Sequence, residues 1–151
     1  MSQHTSHHIS PYTYRDYRTW DDADRWELLE GVPYLMASPT PAHQTVLLNM
    51  ASVFHTVLQG RDCQPFVAPL DVTCETDDDT LTVVQPDVFI MYGTYDREQR
   101  IIGVPTLVVE ILSPWTAAND TIRKLNLYQR WQVPEYWIVE PDLRLVKPIR
   151  P

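Results

Sequence analysis

The sequence has few cysteines and no long apolar run. Its two cysteines among 151 residues, Cys63 and Cys74, form neither a CxxC pair nor a Cys/His ligand spacing. This pattern argues against a disulfide framework and against a zinc site. No apolar run reaches the roughly 20 residues needed to cross a bilayer, and residues 1–10 are polar rather than signal-like. We therefore expect a soluble cytoplasmic protein with no membrane partner.

Basic side chains are also scarce. The chain has 12 Lys and Arg residues against 20 Asp and Glu residues, a net charge of -8. This balance argues against a broad non-specific nucleic-acid surface, which relies on clustered basic side chains. Residues 61–110 have 3 basic and 10 acidic side chains, whereas residues 111–151 have 6 and 4. We expect any polyanion to meet the last third of the chain.

The pattern of elements predicts one domain with a mixed sheet. Residues 1–18 lack hydrophobic periodicity and are predicted to be a loose arm before a domain at 19–151. Thr19 and Asp22 resemble a capping box that opens a short helix. An edge strand at 32–37 and a helix from the Thr40 cap to Gly60 are predicted next. They are followed by β-rich segments at 64–75 and 81–92, joined by an acidic turn at 77–79, and by a buried strand at 106–112. A helix closed by Pro134 and strands at 135–140 and 143–147 complete the prediction, and Pro148 stops the last strand. This order implies an α/β fold of the α+β type, in which helices pack on a mixed sheet.

Two of the predicted strands contain a carboxylate among apolar residues. Asp87 precedes Val88–Met91, and Glu110 interrupts the apolar run from Leu107 to Leu112. An unpaired buried carboxylate costs several kcal/mol, so each of these side chains needs a partner. If the strands are neighbours, the two carboxylates converge at one edge of the sheet, as a magnesium site requires.

Lys124 is the third candidate. It lies four residues after Asp120 and four before Tyr128, on one face of the helix that follows the Glu110 strand. An ammonium near metal-bound water favours hydroxide and stabilises charge on a phosphate. The alternative is a surface ion pair between Lys124 and Asp120.

Three motifs carry a resemblance to a known family. They are Val84–Asp87, Leu107–Pro114 and Val133–Val139, and the similarity runs from about Thr19 to Glu140. The chain resembles the Uma-two family of restriction endonuclease-like proteins. This resemblance implies a PD-(D/E)XK core with flanking helices, in which Asp87 and Glu110 bind Mg²⁺, with Mn²⁺ as a substitute, and Lys124 assists hydrolysis of a phosphodiester. The backbone carbonyl of Ile111 is a further expected metal ligand.

The chain departs from the superfamily pattern two residues after the glutamate, where Leu112 replaces the usual lysine. A lysine on the following helix, here Lys124, takes its place within the family.

Three auxiliary residues are also predicted, each with an alternative. Glu27 resembles the first-helix glutamate that assists metal binding, or it is an exposed helical residue. His43 is placed to bond a phosphate at a helix N-terminus, or it is a half-buried first-turn histidine. Gln85 contacts metal-bound water or a base, or it orients the neighbouring loop.

Together these residues predict a magnesium-dependent endonuclease that hydrolyses DNA. The alternative is a catalytically silent binding or assembly module with the same fold, which the acidic charge favours. We expect a homodimer in either case, because a short terminal edge strand invites pairing between chains.

Overall fold

The computed structural model describes residues 11–20, 23–96, 99–114 and 118–150, with the backbone alone at 118–120. Its main sheet consists of Cys63–Val67 (β3), Val88–Tyr92 (β5), Leu107–Ile111 (β7), Glu135–Glu140 (β8) and Leu145–Ile149 (β9). The strand order is β3-β5-β7-β8-β9. β7 pairs antiparallel with β5 and parallel with β8, and all five of its residues are buried. The prediction of a buried strand here is confirmed.

One helix packs on each face of this sheet. Pro41–Val57 (α2) begins at Thr40, whose side chain accepts a 3.1 Å hydrogen bond from the His43 amide. Apolar residues of α2 contact one face, and those of Ala118–Arg130 (α3) belong to the core on the other. No helix in the described ranges has both the length and the apolar character to span a membrane. The prediction of a mixed sheet with flanking helices is confirmed.

Two small strand pairs complete the fold. Trp26–Leu29 (β1) and Val32–Leu35 (β2) form a hairpin, and Val72–Thr73 (β4) pairs parallel with Ile101–Ile102 (β6). The helix predicted after Thr19 is therefore wrong, because β1 occupies its second half. Leu28 exchanges two 2.8 Å backbone hydrogen bonds with Val83, and this long-range pairing overrides the local capping signal. Asp22 lies outside the described residues.

The capping box that the structure does contain lies earlier in the chain. Thr13 and Asp16 cap a short helix at Tyr14–Tyr17 (α1), and Tyr14 is only 3% exposed. The described part of the predicted arm, residues 11–18, thus packs on the domain, while residues 1–10 lie outside the described residues. The limits of the domain itself stay a prediction.

The predicted end of the last strand is also wrong. Pro148 lies inside β9, where it faces Trp137 of β8. β9 is the terminal strand of the sheet, and proline is tolerated in an edge strand because its missing N–H can face away from the ladder.

The acidic turn at 77–79 is held by arginines. Arg15 and Arg18 of the N-terminal segment pair with Asp79 and Asp78 at 3.1 and 3.0 Å. Arg100 is 6% exposed, donates to Thr73 Oγ1 at 2.9 Å and to Asp78 Oδ1 at 3.0 Å, and stacks over the Tyr14 ring. The turn therefore links α1 to the segment before β6.

We expect Arg100→Met to lower the free energy of unfolding by about 2–3 kcal/mol, since it removes a buried charged donor shared by the buried Thr73 and the half-buried Asp78. Urea unfolding followed by circular dichroism measures this loss. Arg61→Met, at an exposed position, is the control and should change stability by less than about 0.5 kcal/mol. A loss below about 1 kcal/mol for Arg100→Met would show that the turn does not depend on this side chain.

Candidate active site

Asp87 and Glu110 occupy facing positions on neighbouring strands. β5 and β7 are antiparallel with Val88 opposite Val109, so the next pair along the ladder is Asp87 and Glu110. Directly opposed residues of an antiparallel pair project from the same face of the sheet. Both side chains are almost fully buried, and both line one pocket. The structure thus brings together the two carboxylates that the sequence singled out.

Asp87 is fixed by two donors. The Ile111 amide donates to Asp87 Oδ2 at 2.7 Å, and His43 Nε2 lies 3.1 Å from Asp87 Oδ1. The hydrogen bond to Asp87 raises the pKa of His43, although burial opposes this shift. His43 therefore contacts a carboxylate, and its Nδ1 is a buried atom without a hydrogen-bond partner among the described residues. It is buried rather than half-buried, at 7% exposure.

Lys124 joins two carboxylates inside the protein. Its Nζ lies 2.9 Å from Glu110 Oε1 and 2.9 Å from Glu27 Oε1. The side chain is only 11% exposed, so Lys124 does not lie at the surface. The Asp120 side chain, its partner in the alternative, lies outside the described residues. Tyr128, one turn further along α3, donates to Glu110 Oε1 at 2.7 Å.

Burial and mutual repulsion set the charge states here. Burial, aided by the Asp87 and Glu27 carboxylates, raises the pKa of Glu110 to about 7, although Lys124 opposes this shift. Burial lowers the pKa of Lys124, but Glu110 and Glu27 outweigh it, and the net pKa is raised. The lysine is therefore a charged ammonium at neutral pH. Burial also raises the pKa of Tyr128 well above its usual value, so its hydroxyl is a neutral donor.

Glu27 and Gln85 connect this cluster to the rest of the fold. Glu27 lies in β1 at 2% exposure, so the alternative of an exposed helical residue is wrong. Its Oε1 accepts a 2.7 Å hydrogen bond from the backbone amide of Gln85. The Gln85 side chain donates to Asp71 Oδ1 at 2.9 Å and accepts from Arg25 Nε at 3.0 Å. These contacts orient neighbouring segments, as one of the two readings of Gln85 expects.

A pocket of about 160 Å³ lies beside these side chains. Both charged and apolar side chains line it. The polar lining includes Arg25, Glu27, His43, Asp87, Glu110 and Lys124, and the β1–β2 hairpin and the segment after it contribute Leu29, Tyr34, Leu35 and Met36. The pocket is therefore a charged site with additional apolar lining.

Comparison with known proteins identifies the family. The model of the Uma2 family, described as putative restriction endonucleases, matches residues 14–151. The chain belongs to this family. The resemblance found in the sequence is thereby confirmed.

Two individual proteins are similar to this Uma2 chain. An uncharacterized protein from Synechocystis sp. is 30% identical over 116 residues, which cover 75% of this chain and 60% of the relative. The chain thus spans less than two thirds of that relative's length. A crystal structure of a putative nuclease belonging to DUF820 from Anabaena variabilis superposes with a TM-score of 0.76 at 20% identity, covering 93% of this chain and 80% of that chain. This likeness shows that the fold is shared.

The donor set of the Uma2 chain fits a hard divalent cation. Within the described residues no three His, Cys, Asp or Glu side chains are grouped so that they could hold a metal. The available ligands are the carboxylates of Asp87 and Glu110, with the backbone of Ile111 beside them. Mg²⁺ is commonly held by one or two carboxylates together with water and substrate phosphate, so this small set suits it.

Sequence reasoning missed two residues of the Uma2 site. Tyr128 was placed on the face of Lys124 but was given no role. The i, i+4 spacing from Lys124 was the only signal for it. Arg25 was not singled out, because an arginine among polar residues has no local feature that separates it from a surface side chain.

Proposed function

We propose that this Uma2 protein is a magnesium-dependent endonuclease that hydrolyses phosphodiester bonds of DNA. The observation that carries the proposal is the pairing of Asp87 with Glu110 across β5 and β7, with Lys124 Nζ 2.9 Å from Glu110. Two facing carboxylates and one buried ammonium are the parts that metal-assisted phosphodiester hydrolysis needs.

Each residue has a distinct role in the proposed reaction. Asp87, Glu110 and the Ile111 carbonyl hold the ion, and Mg²⁺, or Mn²⁺ in its place, supplies Lewis-acid chemistry when bound. Lys124 orients the attacking water and stabilises negative charge on the phosphate. Its ammonium has three N–H donors. Two of them form hydrogen bonds to Glu27 and Glu110, and the third is donated to neither carboxylate.

The auxiliary residues act on these groups. Glu27 fixes the ammonium of Lys124 by accepting its 2.9 Å hydrogen bond. His43 fixes the Asp87 carboxylate, which must present an oxygen to the ion. Gln85 supports Glu27 through its backbone amide. We propose all three as positioning residues.

A binding or assembly module without catalysis is the second candidate, and the net charge of -8 favours it. In either case we propose a homodimer, because β9 is a terminal strand with the exposed side chains Leu145 and Val146. Sedimentation velocity measures the oligomeric state, and a monomer at all accessible concentrations would contradict the dimer. A cytoplasmic location stays a prediction.

We expect the purified protein to nick or linearise plasmid DNA in Mg²⁺ and to lose this activity in EDTA. Glu110→Gln keeps the size of the side chain and an acceptor for Lys124 and Tyr128 but removes the anionic ligand. It should lower the cleavage rate by about a hundredfold to a thousandfold, since a metal supplies several kcal/mol of transition-state stabilisation. Gel electrophoresis of plasmid over time gives the rates.

Glu135→Gln is the matched control, because Glu135 is exposed and lies on β8 outside the pocket. It should cleave as the wild type does. Equal cleavage by wild type and a folded Glu110→Gln protein would remove Glu110 from the proposed reaction, and equal cleavage by both the Glu110 and the Asp87 variants would indicate a contaminating nuclease. Calorimetric titration with Mg²⁺ or Mn²⁺ separates the two candidates, since absence of binding at millimolar ion, together with absence of cleavage, supports the module.

A further inference from the structure

Arg25 is a cation of the pocket that the proposed reaction does not yet use. It immediately precedes β1, is half-buried and lines the same pocket as Asp87 and Glu110. Its backbone carbonyl accepts a 2.8 Å hydrogen bond from Met36, so the residue is fixed at the open end of the β1–β2 hairpin. The backbone position from which the guanidinium extends is therefore defined by the hairpin.

The side chain is oriented by Gln85. Arg25 Nε donates to Gln85 Oε1 at 3.0 Å, and the Gln85 Nε2 donates to Asp71 Oδ1 at 2.9 Å and to Tyr17 OH at 3.2 Å. Because the side-chain nitrogen of Gln85 donates to these two oxygens, its side-chain oxygen faces Arg25. The hydrogen-bond network thus fixes the plane of the guanidinium.

One end of this guanidinium has no acceptor within the described part of the chain. Arg25 Nη2 is buried and lacks a hydrogen-bond partner among the described residues. Buried polar atoms are nearly always paired, and a charged donor left unpaired is costly. Arg25 lines the pocket, so an anion bound there would offer its guanidinium a further acceptor.

The charge of the pocket indicates which anion fits. With Glu27, Asp87 and Glu110 ionised and His43 neutral, the carboxylates of the lining outnumber its cationic side chains, Lys124 and Arg25, by three to two. The resulting charge of -1 becomes +1 with one divalent cation. A phosphodiester, which has a single negative charge, makes the occupied site neutral.

We propose that Arg25 binds a phosphate oxygen of the substrate, and that Gln85 positions the guanidinium for this contact. The proposal rests on the proposed function, since it names a substrate contact of that site. Arginine suits this role because its planar fork matches the geometry of a phosphate group. The contact carries no information about base sequence, because it is made to the backbone.

Arg25→Ala should weaken binding of a fluorescein-labelled oligonucleotide by about tenfold to a hundredfold, as expected for loss of a charge-assisted hydrogen bond. Fluorescence anisotropy in Ca²⁺, across several salt concentrations, measures the affinity for duplex and single-stranded probes. The slope of log affinity against log salt should become less steep by about one, and the loss should be similar for unrelated sequences.

Three further variants support this test. Arg25→Lys keeps the charge but not the fork, and we expect an intermediate affinity. Gln85→Met retains the backbone amide that supports Glu27 and should weaken binding less than Arg25→Ala does. Arg61→Ala, at an exposed position outside the pocket, should bind as the wild type does. Circular dichroism and thermal unfolding show whether each variant is folded.

The outcomes separate this proposal from the proposed function. Weaker DNA binding by Arg25→Ala with unchanged calorimetric binding of Mg²⁺ supports the phosphate contact. If Arg25→Ala binds DNA as tightly as wild type while wild type cleaves DNA, the contact is wrong and the nuclease assignment stands. If wild type neither binds DNA nor cleaves it, both proposals fail. If Arg25→Ala does not fold, Arg25→Lys decides, and wild-type affinity and salt slope in that variant would overturn the fork contact.

Discussion

Asp87→Asn should reduce plasmid cleavage by about a thousandfold or more and weaken Mg²⁺ binding, because it removes an anionic ligand from the proposed metal site. The change is nearly isosteric, yet it also conflicts with the hydrogen bonds around the carboxylate. Asp87 accepts from Ile111 at one oxygen and contacts His43 Nε2 at the other. An asparagine has only one oxygen, so it can accept at only one of these places.

The fold should survive this substitution. His43 can adopt the other tautomer and accept a hydrogen bond at Nε2 from the asparagine amide, since its Nδ1 has no competing partner among the described residues. Asp142→Asn is the control, because Asp142 is exposed in the turn before β9 and should leave cleavage unchanged. Rates come from a plasmid assay and metal affinity from calorimetry. Full cleavage by a folded Asp87→Asn protein would remove Asp87 from the proposed reaction.

Lys124→Met is expected to have the largest effect on stability, a loss of about 3–5 kcal/mol at neutral pH. The ammonium is the shared partner of Glu27 and Glu110, and both carboxylates are buried. Methionine fills a similar volume but leaves these two acids without their cation. Such a loss is a large part of the 5–15 kcal/mol that stabilises a typical domain, and cleavage should be lost as well.

The destabilisation should depend on pH. The pKa of Glu110 is about 7 in the folded protein and 4.5 in its unperturbed state, so the folded protein binds this proton more tightly. Removing the ammonium raises this folded pKa further. The contribution from the bound proton is fully present below the unfolded pKa and is lost as pH rises through the folded one. Lys124→Met should therefore be less destabilising at pH near 4.5 than at pH above 7.

Urea unfolding of wild type and Lys124→Met across this pH range measures the effect. Lys147→Met is the control, because Lys147 is exposed and its pair with Glu140 should contribute less than about 1 kcal/mol. Adding Glu110→Gln to Lys124→Met should recover part of the lost stability, since only one carboxylate then lacks its cation. A destabilisation that is the same at both ends of the range would refute the electrostatic explanation.

The sequence singled out Asp87 and Glu110 as carboxylates that need a partner, and it offered Lys124 as a third candidate. A carboxylate inside an apolar strand is costly unless the fold supplies a partner, and this cost makes such residues visible without a structure. The helix that follows β7 must return across the sheet before the parallel strand β8, which brings Lys124 back toward Glu110. Burial cost thus singled out the two carboxylates, whereas spacing alone left Lys124 open to a surface ion pair and the family resemblance favoured the site.

The contributions of Glu27 and Arg25 were less accessible because they depend on long-range pairing. Thr19 and Asp22 have the spacing of a capping box, but the backbone of Leu28 pairs with Val83, which is 55 positions away in the chain. Which face Glu27 presents follows from that pairing and not from its neighbours. The same holds for Arg25, whose orientation depends on Gln85.

The burial of α1 also determines where this domain can be shortened. The Tyr17 hydroxyl oxygen lies 2.8 Å from Asp71 Oδ1 and 3.0 Å from the Trp26 carbonyl oxygen, next to the Gln85 side chain. An expressed fragment that starts at residue 19 would lack this tyrosine. The Gln85 side chain, which orients Arg25, would then be exposed to water where Tyr17 had contacted it. Recombinant versions of the domain should therefore retain the chain from Pro11 onward, where Tyr12 already bonds to Gly31.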